Sequence, residues 1–224
     1  MLGEKHVAVK VWDLPVRLFH WALTLLFVAQ LVTGTIGGEM MAWHAWSGYA
    51  ALVLIVFRVL WGFVGSTHAR FASFVAGPAA TARFAARLFS RQAVPQLGHN
   101  PLGGWMVILL LASFTLQAVT GLFANDGGDV EGPLAVFVSI ETSDRLSIIH
   151  RWNRDVLIVL TLVHVAAVAY HWLFKKENLL GAMFSGVKRV PESLLHDRRE
   201  VARDAKLRRA ASREPAHVEF PGPW

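Results

Sequence analysis

The sequence predicts an all-α membrane protein, a bundle of four transmembrane helices with both termini cytoplasmic. Three observations predict it. Hydrophobic residues make up 54% of the 224 positions and charged ones only 17%. The apolar residues gather in long blocks, each near the roughly 20 residues that a helix needs to cross a hydrocarbon core of about 30 Å. Basic residues collect on one side of these blocks and acidic residues on the other. Strand-like alternation is absent, and backbone polar groups in lipid must be satisfied within the chain, so the blocks are helices and not barrel strands.

The first block, 18–36, opens with RLFHW. It is longer than an apolar signal core and carries His20 near its start, which argues for a retained helix. The second, 43–64, begins WHAWSGYA and carries His44 at one end and Arg58 towards the other. The third, 104–123, contains no histidine, and the fourth, 148–174, holds His150, His164 and His171. Gly77 to Arg91 reads as an interfacial helix, with Phe84 and Leu88 against arginines. Residues 1–188 are thus expected to form the membrane domain and 189–224 a charged cytoplasmic tail, disordered from about Arg208. No internal repeat is apparent on this reading.

Orientation follows the lysines and arginines. Lys5, Lys10 and Arg17 precede the first block, Arg70, Arg83, Arg87 and Arg91 lie between the second and third, and a basic tail follows Phe174. Glu39, Asp126, Asp129, Glu131, Glu141 and Asp144 occupy the opposite connections. The positive-inside rule makes the basic side, with both termini, cytoplasmic in a multi-pass membrane protein. The net charge of +6 is therefore a topology signal towards anionic lipid, and no nucleic-acid motif accompanies it.

The histidines carry the chemistry. With no cysteine, covalently attached haem, cysteine-ligated clusters and thiol redox chemistry are excluded. Ionisable groups in hydrocarbon are costly and need a reason. His150 and His164 are separated by about 21 Å along a helix and by about 40° around it. One helix can therefore carry two ligands stacked along the membrane normal. By depth, His44 matches His150 near the outer face and His20 matches His164 near the inner one. His171 lies only about 20° from His164, so periodicity alone does not choose between those two. Helices with almost no carboxylates or thiols favour bis-imidazole haem over zinc or a di-iron cage. Arg151 and Arg154 stand beside His150 as counter-charges for the propionates of an outer haem. Arg58, and Arg17 one turn before His20, are candidates for an inner one, with snorkelling to the surface as the rival explanation. Gly34, Gly48, Gly62, Gly121, Ala166 and Ala167 leave room for a flat macrocycle or serve ordinary helix packing.

At VWDLPVRLFHW, WHAWSGYA, FRVLWGFVGSTHARF, GHNPLGG, VTGLFA and HVAAVAYHWLFKKENLLGAMFSG the chain resembles the bacterial cytochrome b561 family, in particular the b-type cytochrome subunits of nickel-iron hydrogenases. The resemblance spans residues 7–188. It implies a four-helix bundle holding haem b, two per chain, with His20, His44, His150 and His164 as iron ligands, which disfavours His171. HRWNRD departs from the expectation of a small or acidic residue after His150. The implied activity is electron transfer between quinone or quinol in the membrane and an outer-face redox protein, a hydrogenase or a periplasmic cytochrome c. A second copy of the chain is a further candidate partner. Two rival readings are a self-contained superoxide:quinone oxidoreductase and a non-redox membrane anchor. Gln117, Thr115 and Thr120 are expected to make interhelical hydrogen bonds and not to bind quinone.

Overall fold

A computed structural model describes residues 5–87, 97–125 and 130–196. Arg91, Asp126, Asp129, Leu88 and the tail beyond Arg208 lie outside the described residues. Two units are distinguished, Lys10–Lys188 and a smaller one made of Met1–Val9 with Arg189–Trp224. Strands β1 (His6–Lys10) and β2 (Val187–Pro191) pair as a two-stranded ribbon, and in the described part of the smaller unit the Glu192 N–H donates to the Lys5 carbonyl at 2.9 Å.

The larger unit contains four helices long and apolar enough to cross a membrane: α1 (Leu14–Ile36), α2 (Met40–Val64), α5 (Pro101–Leu122) and α6 (Ile140–Phe174). Between α2 and α5 lie the short helices α3 (Phe71–Phe74) and α4 (Pro78–Arg87), and α7 (Leu179–Ser185) follows α6. The spans form two hairpins, α1 with α2 and α5 with α6, which meet chiefly through α2 and α5.

Polarity is arranged inside out. Leu25, Val32, Val53, Phe63, Leu162 and Val165 are exposed, whereas Ser113, Thr120, Asn153 and Arg58 are buried. Such a surface suits lipid, and the interior polar groups then need partners within the protein. Asn153 donates to the Ser113 carbonyl at 2.9 Å and to Gln117 Oε1 at 2.7 Å, and accepts from the Ser113 hydroxyl at 2.8 Å. That network ties α5 to α6. Leu23, Ile55 and Leu157 are buried, and Phe27 and Phe114 meet edge to face at 5.3 Å.

Both helices that rise from the basic side start with a side-chain cap followed by proline. Asp13 accepts from the Val16 N–H at 2.9 Å, and Asn100 from the Gly103 N–H at 2.7 Å. These caps satisfy donors left open at a helix start, and proline is tolerated there because its position needs no N–H. Asp13 also accepts from the Trp61 indole at 3.0 Å, joining α1 to α2. Burial alone would raise the Asp13 carboxyl, but bonds from Ser66, Val16 and Trp61 outweigh it and hold the group below the usual carboxylate range.

The fourth span begins earlier than its apolar run. Helix α6 starts at Ile140, capped by the Ser139 hydroxyl, which accepts from the Thr142 N–H. Glu141, Asp144 and Arg145 are therefore helical, and His150 lies three turns inside the helix rather than at its start. The extra turns are anchored by serines. Ser143 donates to the Phe123 carbonyl at 2.7 Å, and Ser147 accepts from the Asn125 N–H at 2.8 Å. A reading weighted by hydrophobicity passes over turns held by polar bonds.

Candidate functional site

Histidines from different hairpins meet at two places. The ring centroids of His44 (α2) and His150 (α6) lie 6.2 Å apart, and those of His20 (α1) and His164 (α6) lie 6.4 Å apart. With metal–imidazole bonds of about 2.0 Å, one metal between the rings of either pair would be within reach of both. Among the described residues, no three His, Cys, Asp or Glu side chains gather around one point. Paired imidazoles suit a metal whose other ligands come from a macrocycle.

A cavity of about 460 Å³ opens at the His44–His150 pair. Gly34, Gly48 and Gly121 line it, as do Arg151 and Arg154. A Cβ on Gly34 would stand 3.0 Å from His44 Cε1, and one on Gly121 would stand 3.0 Å from His150 Cε1. Glycine at each place is what lets the neighbouring imidazole lie flat against the helix. Gly62 lies against Phe71 instead, and Ala166 and Ala167 are exposed.

The ring nitrogens at this end are directed. His44 Nδ1 lies 3.2 Å from the Gln30 carbonyl and 3.3 Å from Thr33 Oγ1. His150 Nδ1 lies 3.0 Å from the Gln117 carbonyl and 3.2 Å from Thr120 Oγ1. A carbonyl only accepts, so Nδ1 carries the proton in both rings and the Nε2 lone pair remains for a metal.

At the inner pair the polar groups await an acceptor. Among the described residues, the buried side-chain atoms without a hydrogen-bond partner are His20 Nδ1, Trp21 Nε1, Arg58 Nη1 and His99 Nδ1. Arg58 is only 3% exposed, donates through Nη2 to the Ala69 carbonyl at 3.2 Å and sits 5.1 Å over the Phe71 ring. It does not snorkel. A buried guanidinium with an open donor calls for an anion, and a haem propionate is one. His99, sandwiched between Trp12 at 4.5 Å and Phe74 at 4.8 Å, is pushed down to about 3 by burial and then by the Arg58, His164, His68 and Lys188 charges. It is neutral at physiological pH.

Two sequence candidates are engaged elsewhere. The Arg17 guanidinium donates to the Met183 carbonyl at 3.2 Å and to the Phe184 carbonyl, so it caps the C-terminal end of α7. Cations suit that end of a helix. His171 has both ring nitrogens in polar contact, Nδ1 at 3.2 Å from Glu177 Oε2 and Nε2 at 3.4 Å from Asn100 Nδ2. Lys188 reaches the same carboxylate at 3.2 Å. Burial would raise Glu177, but these two partners hold it below its ordinary value.

The sequence profile of the prokaryotic cytochrome b561 family matches residues 11–186. The chain belongs to that family. Among curated proteins it is 26% identical to the probable Ni/Fe-hydrogenase B-type cytochrome subunit of Rhizobium leguminosarum bv. viciae, over 88% of this chain and 95% of that one. The protein of the same name from Azotobacter chroococcum mcd 1 is 27% identical over 82% of this chain and 89% of its own length. That from Cupriavidus necator is 24% identical over 83% and 89%. No solved structure matches.

Within this member of the cytochrome b561 family, a repeat escaped the reading of the sequence. Residues 30–34 are QLVTG and residues 117–121 are QAVTG; residues 44–47 are HAWS and residues 150–153 are HRWN. Within each copy the two motifs meet in space: QLVTG supports the histidine of HAWS, and QAVTG that of HRWN. Gln30 and Gln117, named only in part from sequence, thus belong to the site.

Proposed function

We propose that the chain is a di-haem b-type cytochrome carrying electrons between the membrane quinone pool and a redox protein at the outer face, a hydrogenase or a periplasmic cytochrome c. The observation that carries this is the pair of cross-bundle histidine contacts, each with both rings within reach of one metal between them. A b-type haem supplies reversible one-electron carriage when bound. His44 and His150 would hold the outer haem, and His20 and His164 the inner. Arg151 and Arg154 face the cavity and would meet propionates there, although Arg154 also pairs with Asp155 at 2.8 Å. Arg58 would do the same at the inner haem. The apolar walls exclude water and keep a low-dielectric environment around the carriers. Family membership supports the haem type, and the names of the relatives support a hydrogenase as partner.

The basic connections favour both termini in the cytoplasm of a bacterial inner membrane. The protein, purified in lipid nanodiscs, should give a b-type α-band in a reduced-minus-oxidised spectrum and two haems per chain by pyridine haemochrome assay. It should exchange electrons with a quinone or quinol on one side and with the outer partner on the other. Absence of the α-band would remove the redox reading, and reduction by superoxide with no protein partner would transfer the assignment to a self-contained oxidoreductase.

A further inference from the structure

The repeat extends well beyond two short motifs. Taken in one register without gaps, α1 and α5 align from their caps onward: Asp13 with Asn100, Gln30 with Gln117, Thr33 with Thr120 and Gly34 with Gly121. In a second register, α2 and α6 align His44 with His150, Trp46 with Trp152 and Ser47 with Asn153. The matched residues make matched contacts. The Gln30 amide reaches Ser47 Oγ at 2.7 Å, and Gln117 Oε1 accepts from Asn153 at 2.7 Å, in each case the residue three places after the histidine. Thr33 donates to the Ala29 carbonyl and Thr120 to the Leu116 carbonyl, both at 2.7 Å. Each hydroxyl proton is thus committed to its own helix, and the oxygen faces its histidine as an acceptor. Trp46 and Trp152 are both exposed, at 69% and 71%.

We infer that the outer site is a half-site built twice, in which Gln30, Thr33 and Gly34 hold His44, and Gln117, Thr120 and Gly121 hold His150, as two matched ligands of one haem. This rests on the di-haem reading above. Thr33 and Thr120 are positioning residues: they share the Nδ1 proton with a main-chain carbonyl, fix the tautomer and strengthen Nε2 as a donor. A hydrogen bond to the far side of a metal-bound imidazole raises its basicity, and its loss costs about 10-fold to 100-fold in metal affinity. A stronger donor favours ferric iron, so both threonines lower the potential of the outer haem.

The register also says what was not duplicated. His164 aligns with Arg58, and His20 with Val107. The inner haem would take its two ligands from non-equivalent positions of the two halves, and nothing equivalent to the threonine contact is present at His20, whose Nδ1 has no partner.

The test uses the full chain in nanodiscs, with Thr33→Val, Thr120→Val, the double variant, and the serine variants. The outer haem is identified as the one lost in His150→Ala. Potentiometric optical titration should show its potential raised in each valine variant, by similar amounts, and raised further in the double. The inner haem should not move. Thr33→Ser and Thr120→Ser should restore the original potential. Equal shifts of both haems, a response to only one threonine, or no shift would overturn the inference. If a valine variant retains no outer haem, the serine variants decide: the original potential upholds the half-site, and loss of haem there overturns it. A wild-type chain with a single haem would instead count against the di-haem reading, while response of that haem to both threonines would still uphold the matched half-sites.

Discussion

The outer and inner ends of the bundle hold histidine pairs at nearly the same separation, 6.2 Å and 6.4 Å, yet they are built in different ways. At the outer end each ring is backed by a carbonyl and a threonine from its hairpin neighbour, and a glycine opens the space beside it. At the inner end the rings belong to α1 and α6, and four buried polar atoms among the described residues, His20 Nδ1, Trp21 Nε1, Arg58 Nη1 and His99 Nδ1, have no hydrogen-bond partner. The outer site is organised by the protein's own hydrogen bonds. At the inner site the chain supplies Arg58 with the Asp13 carboxylate and the Ala69 carbonyl and leaves its Nη1 open. Two carriers with the same ligand type can thus differ in potential through what stands behind the ligands and what charge stands beside them.

The largest expected effect tests whether the ends are separable. His150→Ala should remove one of two haems and leave the α-band of the other, and His164→Ala should do the converse. His171→Ala should keep both, because its ring is bound to Glu177 and Asn100. Loss of the inner haem in the His171 variant alone would exchange the roles of these residues. Haem content per chain and low-temperature α-bands read all three.

Next in size is the charge at the inner end. Arg58→Met keeps most of the side-chain volume and removes a buried cation. A nearby positive charge favours the reduced iron, so the inner haem should fall in potential by the equivalent of roughly 1–2 kcal/mol, and the outer haem should hold its value. A fall shared equally by both haems would mean that Arg58 acts through the bundle as a whole.

Much of this was legible in the sequence, and what was missed has a physical reason. Helices reveal themselves by the length of their apolar runs, and the histidine pairs by depth, because a rise of 1.5 Å per residue converts numbering into position. The first turns of α6 were not visible in that way, since Ser139, Ser143 and Ser147 hold them by polar bonds. Arg58 and Arg17 looked alike in sequence as cations near an inner boundary; only packing shows the first buried beneath Phe71 and the second on the end of α7. The repeat stayed hidden because its shared residues are sparse among interchangeable apolar ones, and because the connection inside the second hairpin is longer than the turn inside the first. Gln and Thr three apart, followed at once by Gly, was the available signal.

An effect of similar size, read in stability, should distinguish the two halves of the outer site. Asn153 is buried and makes three bonds to Ser113 and Gln117, whereas its counterpart Ser47 is half-buried and accepts from Gln30 while donating to the Trp43 carbonyl at 2.6 Å. Asn153→Ala strands buried partners and should cost about 1–3 kcal/mol, and Ser47→Ala less than about 1. Thermal unfolding in detergent orders the two. Equal losses would mean that the halves match in energy as well as in pattern.

The smallest effect concerns the paired caps. Asp13 and Asn100 occupy equivalent positions and do the same work, but only Asp13 titrates. Its carboxyl is held below its ordinary value, so its contribution is complete above the unfolded carboxylate range and is lost as pH falls through the folded value. Asp13→Ala and Asn100→Ala should each cost about 1 kcal/mol at neutral pH. On acidification the cost of Asp13→Ala should shrink, because protonation weakens the wild-type cap, while the cost of Asn100→Ala should stay constant. Asp13→Asn should then keep the cap at neutral pH and make its contribution insensitive to acid. Melting temperatures of the three variants against pH measure this directly, and a constant cost for Asp13→Ala would show that its bonds to Val16 and Trp61 survive protonation.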